Sequence, residues 1–200
     1  MSIVDPKPSF PQRLKEETSY LHQALESLPL SQSILKENVT QEDYLIYLGL
    51  MFDIVSDIES AIFPLISTVI SDLEHRKKAH LLTLDFEKLG YIKSNNTPAF
   101  SDLEHTISLG FAMGMLYVIE GSTLGGRVIY KHIQKTLGYS SENGAAYFAG
   151  YGDQTGQFWK NFIGELVEHE KSEGSGEEII AGANYTFKAI TTHFAANSGS

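Results

Sequence analysis

Apolar residues in this chain recur at intervals of three and four over most of its length, while two-residue alternation and hairpin dipeptides flanked by β-branched runs are missing. That pattern restricts the chain to the all-α class. A run opening at Ser9, with Pro11 in the first turn, predicts a helix to about Leu28, with Leu14, Thr18, Leu21, Leu25 and Leu28 on its buried face. Thr40 with Asp43 predicts a capped start for a second helix, which Pro64 kinks or interrupts. Segments from Leu65 to about Leu73 and from Leu73 to Leu89 follow, the latter stopped by Gly90. Ser101 with Glu104 resembles a capping box opening a long glycine-rich helix. Short helices and turns are expected between Gly138 and Gly156, and a last pair of helices from Phe158 to Glu170 and Glu177 to Ala195.

The chain has 200 residues, 42% of them hydrophobic, enough apolar material for one buried core. We therefore expect a single-domain helical bundle of about seven to nine helices over residues 1–196, with 197–200 as a frayed tail. A formal net charge of -10 repels phosphate backbones and argues against nucleic-acid partners. With no cysteine, disulfides, thiolate zinc sites, iron-sulfur clusters and thiolate-ligated heme are excluded, so any metal must sit on histidine, carboxylate or tyrosine. No apolar run approaches the ~18 to 20 residues of a membrane span, and the expectation is a soluble, cytoplasmic protein.

Two segments carry candidate chemistry. In the first helix His22 lies four residues after Thr18 and three before Leu25, so it projects from the edge of the apolar stripe toward the interior. A lone histidine there is more commonly a core residue satisfied by a neighbour. Its functional alternative is an axial ligand to a heme iron, oriented through its second nitrogen, with Glu26 one turn on as the acceptor. Lys15, two turns before His22, is either a solvated charge or a cation for a carboxylate near the same face.

The second segment, Gly110 to Tyr130, has glycines at 110, 114, 121, 125 and 126. Each helical glycine costs ~1 kcal/mol relative to alanine. For Gly110 and Gly114, close helix-helix packing is the preferred explanation. For Gly121, Gly125 and Gly126, a kinked helix lying over a planar ligand accounts better for the cluster, with carbonyls freed by the kink to hold water.

Together the two segments resemble the heme oxygenase family, specifically its bacterial biliverdin-producing branch, including members associated with bacteriophytochromes. Leu14-Lys15 followed by Thr18 and His22 resembles the family's proximal helix, and Gly121-Ser122-Thr123-Leu124-Gly125-Gly126-Arg127 its distal helix. Gly150 to Gly156 with Trp159 is similar to the C-terminal part of the bacterial branch, and Tyr185-Thr186-Phe187 falls where the family packs a helix beside the heme. The mammalian-type distal helix carries an aspartate where this chain has Ser122.

The resemblance implies oxidative cleavage of heme to biliverdin, carbon monoxide and ferrous iron, using O2 and electrons from a separate ferredoxin or flavin reductase. It implies His22 as the iron ligand, and Gly121, Ser122, Gly125 and Gly126 as the distal residues that shape the oxygen site and hold water. Lys15, Arg13 and Tyr117 are its propionate candidates, Lys160 a further one, and Phe187 packs beside the ring. A bacteriophytochrome is a candidate receiver of the biliverdin. The competing reading is a heme carrier or sensor that binds through His22 without turnover. His75 and His80, five apart among Arg76, Lys77 and Lys78, read as a solvated basic face. His105, His132, His169 and His193 have no partner at ligand spacing.

Overall fold

The computed structural model describes residues 8–103 and 106–197, and within them every regular element is helical. Helix α1 (Phe10–Glu26) begins where the Ser9 backbone N–H and hydroxyl both donate to Gln12 Oε1, each at 2.9 Å, with Pro11 in the first turn as expected. Pro29 ends its run and opens the short α2 (Pro29–Ser33). Helix α3 (Gln41–Asp57) starts at a reciprocal cap: the Asp43 N–H donates to Thr40 Oγ1 at 3.1 Å, and the Thr40 N–H donates to Asp43 Oδ2 at 2.9 Å. Ahead of Pro64 the helix loosens into a π turn (Ile58–Ile62) before α4 (Phe63–Ile66), because proline removes a donor from the helical ladder.

The stretch expected to continue as helix to Leu73 and onward does not. It is a turn, a 3-10 segment (Leu73–Arg76) and then α5 (Ala79–Leu89), ended by Gly90 at φ 65°. The long helix α6 (Leu109–Leu137) opens later than the Ser101–Glu104 pattern suggests. Ser108 is its cap, its Oγ accepting from the Phe111 N–H at 3.2 Å, while Glu104 and His105 lie outside the described residues. Helices α7 (Ala146–Ala149), α8 (Thr155–Glu173) and α9 (Gly176–Asn197) complete the chain. Asn197 belongs to α9, not to a frayed tail, and 198–200 lie outside the described residues. Among the described residues these nine α-helical segments fall within the expected number.

Packing centres on α6 and α9, which cross with α1 beside α9. The crossing explains two of the five clustered glycines. A Cβ on Gly114 would collide with the carbonyl oxygen of Ile179, and one on Gly182 with that of Phe111, so each helix lays bare backbone on the other's main chain. Gly110 is likewise closed off by Ser175 and Glu178. The first glycine pair is thus a packing device, as its spacing suggested. The obstacles at Gly114 and Gly182 are main-chain atoms, which cannot swing aside. Gly114→Ala is therefore expected to cost about 1–3 kcal/mol, read as a lowered denaturation midpoint at unchanged slope. An unchanged midpoint would contradict this packing.

Asp85, fully buried on α5, accepts the backbone N–H groups of Ala146 at 2.7 Å and Tyr147 at 2.9 Å, which fixes the start of α7. Burial pushes its carboxyl up to about 6 against those two hydrogen bonds, which favour the charged form. Among the described residues no helix is long and apolar enough to cross a membrane.

Candidate functional site

Between α1, α6, α7 and α9 lies a cavity of 810 Å³. Its walls bring together most of the residues singled out from sequence. His22, Lys15 and Thr18 come from α1, Tyr117 and the 121–126 segment from α6, and Phe187 from α9. The His22 side chain is 54% exposed and turned into this space, not satisfied in the core. Its ring meets the edge of Phe187 with centroids 5.5 Å apart, and Nε2 lies 3.4 Å from Glu26 Oε1, the acceptor predicted one turn along. One imidazole nitrogen therefore approaches a carboxylate, as in many metal-binding histidines, on a ring that lines the cavity.

The second glycine group behaves differently from the first. A Cβ on Gly125 would meet nothing within 4 Å, and one on Gly121 would meet only the carbon edge of Trp159 at 3.6 Å. Gly126 is buried against Phe148. The cavity thus contains a bare strip of helix that any side chain would fill, opposite a histidine. That is the shape a flat ligand with a central metal requires, and the donor set fits heme: one imidazole, a glycine face, aromatic edges and a cation at the mouth. α6 continues as helix through all three of these glycines, over 29 residues in all.

Three polar candidates from the sequence have settings of their own. Arg13 does not reach the cavity, because its guanidinium pairs with Glu17 at 2.6 Å and with Glu177. Lys160 is exposed on α8 and also lies outside the lining. Ser122 borders the cavity, but its hydroxyl donates to the Ile119 carbonyl one turn back at 2.7 Å.

The basic run at 75–78 departs furthest from expectation. His75 and His80 are exposed as expected, yet Arg76 is 1% and Lys78 3% exposed. Both converge on Glu120, the residue before Gly121. Arg76 Nη1 donates to one carboxylate oxygen, and Lys78 Nζ donates to the other at 2.7 Å. Lys78 also donates to the Arg76 carbonyl at 2.9 Å and the Tyr151 hydroxyl at 2.6 Å, and Tyr151 donates to Glu120 at 2.9 Å. Burial pulls the Lys78 ammonium below its ordinary range, against the pull of Glu120. Lys78 and Tyr151 reach the cavity wall, so this buried network backs the glycine strip. A lone carboxylate inside the apolar run Val118-Ile119-Glu120 was the signal available in the sequence.

The other histidines among the described residues do not line this cavity. His132 Nε2 is bonded to the Lys36 carbonyl at 2.9 Å, His193 is buried 3.3 Å from Asp53, and no cluster of metal-binding side chains occurs among the described residues.

A family model described as heme oxygenase matches residues 8–196. A heme oxygenase of Xanthomonas campestris pv. campestris is 31% identical over 137 residues, covering 67% of this chain and 77% of that protein. Among solved structures, the NO- and CO-bound heme oxygenase of Neisseria meningitidis superposes with a TM-score of 0.81 at 26% identity, covering 96% of this chain and 92% of that one. Heme oxygenase-1 of the cyanobacterium Synechocystis, in complex with heme, shares the fold with a TM-score of 0.68 at 18% identity, covering 96% and 93%.

Proposed function

The chain belongs to the heme oxygenase family, enzymes that degrade heme, and we propose that it cleaves heme to biliverdin, carbon monoxide and ferrous iron with O2 and externally supplied electrons. The observation that carries this reading is the bare Gly121–Gly125 strip facing the same cavity as the half-exposed imidazole of His22. Bound heme supplies the iron at which dioxygen is activated. The chain's own residues seat and shield it. His22 offers a nitrogen with no thiolate push behind it, and Glu26 orients the ring from the other side. Lys15 stands at the mouth for a carboxylate, and Tyr117 lines the wall beside it. The glycines allow backbone to approach the ring plane, while Trp159 and Phe187 close the cavity with carbon.

Since the chain has no cysteine to hold an iron-sulfur centre, we take the electron donor to be a separate ferredoxin or flavin reductase, in the cytoplasm. A bacteriophytochrome is the receiving partner where biliverdin serves as chromophore. The test counts products: hemin-loaded protein supplied with a ferredoxin reductase system in air should release one carbon monoxide and one chelatable ferrous ion per heme. Release of neither, with heme retained, would establish a carrier or sensor instead.

A further inference from the structure

The two bare glycines of α6 do not have the same surroundings. Gly121 and Gly125 both line the cavity, about 6 Å apart along the helix axis. Nothing lies within 4 Å of the place a Cβ on Gly125 would take, and Leu124 and Val128 at that end are 42% and 61% exposed. At Gly121 the six-membered ring of Trp159 stands over the helix, with Cη2 and Cζ3 both 3.6 Å from the corresponding place. The same indole packs on Tyr117, one turn before Gly121, with ring centroids 5.5 Å apart. The glycine strip is therefore covered at its N-terminal end and open at its C-terminal end.

The cover is held from behind. Trp159, the only tryptophan in the sequence, lies near the start of α8. The carbonyl of its neighbour Phe158 accepts from Arg76 Nη2 at 3.2 Å, and the Phe158 ring lies 5.4 Å from the same guanidinium. Arg76 Nη1 donates to Glu120. One buried guanidinium thus grips the residue before Trp159 and the residue before Gly121, and the two successors meet. Phe162, fully buried one turn along α8, backs the indole with ring centroids 6.0 Å apart. Packed between Phe162 and Tyr117, on a helix tied to the strip's own helix, the indole has little room to swing aside.

We propose that Trp159 is a specificity-determining residue: it fills the Gly121 end of the space between heme and α6, so that a ligand held there leans toward Gly125 and the ring is opened at the meso edge beneath that end. The inference rests on the heme-cleaving reading, with the ring lying against the glycine strip. The meso carbons of heme are close in intrinsic reactivity, so the walls of the site make the choice among them, by fitting one arrangement better than another.

The steric part of the test needs no turnover. The heme-loaded protein is reduced under nitrogen and titrated with methyl isocyanide and with tert-butyl isocyanide, in the parent, Trp159→Phe and Trp159→Ala. Relief of an overfilled space predicts that both variants bind tert-butyl isocyanide at least about fivefold more tightly than the parent, while methyl isocyanide changes by less than about twofold. The second readout is the biliverdin isomer ratio after turnover with a reductant in air. One isomer should dominate in the parent, and a second should rise in both variants. An unchanged preference between the two isocyanides overturns the assignment, as does an isomer ratio that stays at the parent's value or a mixture already present in the parent. Parent protein that binds no heme, or binds it and releases no biliverdin, removes the functional reading itself, a result distinct from normal turnover indifferent to Trp159. If Trp159→Ala does not fold, Trp159→Phe decides alone, since it keeps an aromatic ring between Tyr117 and Phe162 and still empties part of the space over Gly121.

Discussion

Replacing His22 with alanine is expected to abolish heme turnover, a loss of at least about 100-fold given that even partners of metal ligands are worth 10–100-fold. The protein itself should fold normally. His22 is half exposed, its contacts are the edge of Phe187 and a 3.4 Å approach to Glu26, and truncating such a side chain changes stability by only about 0.5 kcal/mol. The two readouts therefore separate: the histidine-ligated heme spectrum disappears while the apo-protein's melting curve stays. Free imidazole added to the variant should enter the space left and restore the parent's imidazole-ligated spectrum. A variant that kept the parent ferric spectrum would remove His22 as the ligand and leave the cavity without its metal-binding side.

The second large effect is on stability. Glu120→Ala leaves Arg76 and Lys78 buried with no carboxylate between them and takes away the acceptor of the Tyr151 proton. Breaking a buried pair from one side typically costs 3–5 kcal/mol, because the uncompensated charge remains. Against a total of about 5–15 kcal/mol, that brings the domain close to unfolding at ambient temperature. Glu120→Leu with Lys78→Met should recover part of the loss, because removing charge from both sides relieves the desolvation that the single variant leaves exposed. Chemical denaturation measures both, and a single variant within 1 kcal/mol of the parent, on the same principle, would show that water or Asp72 compensates Arg76 and Lys78.

The helices with conspicuous ends were legible in sequence. Ser9, Thr40 and Gly90 are local signals, and local signals survive folding because they act on the backbone beside them. The segment from 65 to 78 was not legible, since its conformation is dictated by where Arg76 and Lys78 must go to meet Glu120, 44 and 42 residues further along the chain. Three basic residues in four positions have the pattern of a solvated face, and only the partner changes that reading. The start of α6 was displaced for a related reason. Ser101 with Glu104 and Ser108 are both respectable caps, and the choice fell to the one after which the α6 backbone can lie on α9 at Gly110 and Gly114.

The site shows the same division. His22, Lys15, the glycine strip and Phe187 all line the cavity, and each could be singled out because it lies on a periodic face or in a segment of unusual composition. Arg13 was misassigned because a guanidinium two residues nearer the N-terminus than Lys15 takes a different side of α1, where Glu17 and Glu177 hold it. Tyr147 was not singled out. Nothing in Ala145-Ala146-Tyr147-Phe148 marks one aromatic as a cavity residue, and it lines the cavity only because Asp85 holds the start of α7 there.

The most direct test of a heme-degrading cavity between His22 and the glycine strip is a single optical experiment. One equivalent of hemin is added to the purified protein, and the visible spectrum is followed after a reductant is supplied in air. A histidine-ligated Soret band that forms and then decays into the broad absorption of biliverdin is the predicted result. A Soret band that forms and persists unchanged under reductant and oxygen would contradict it.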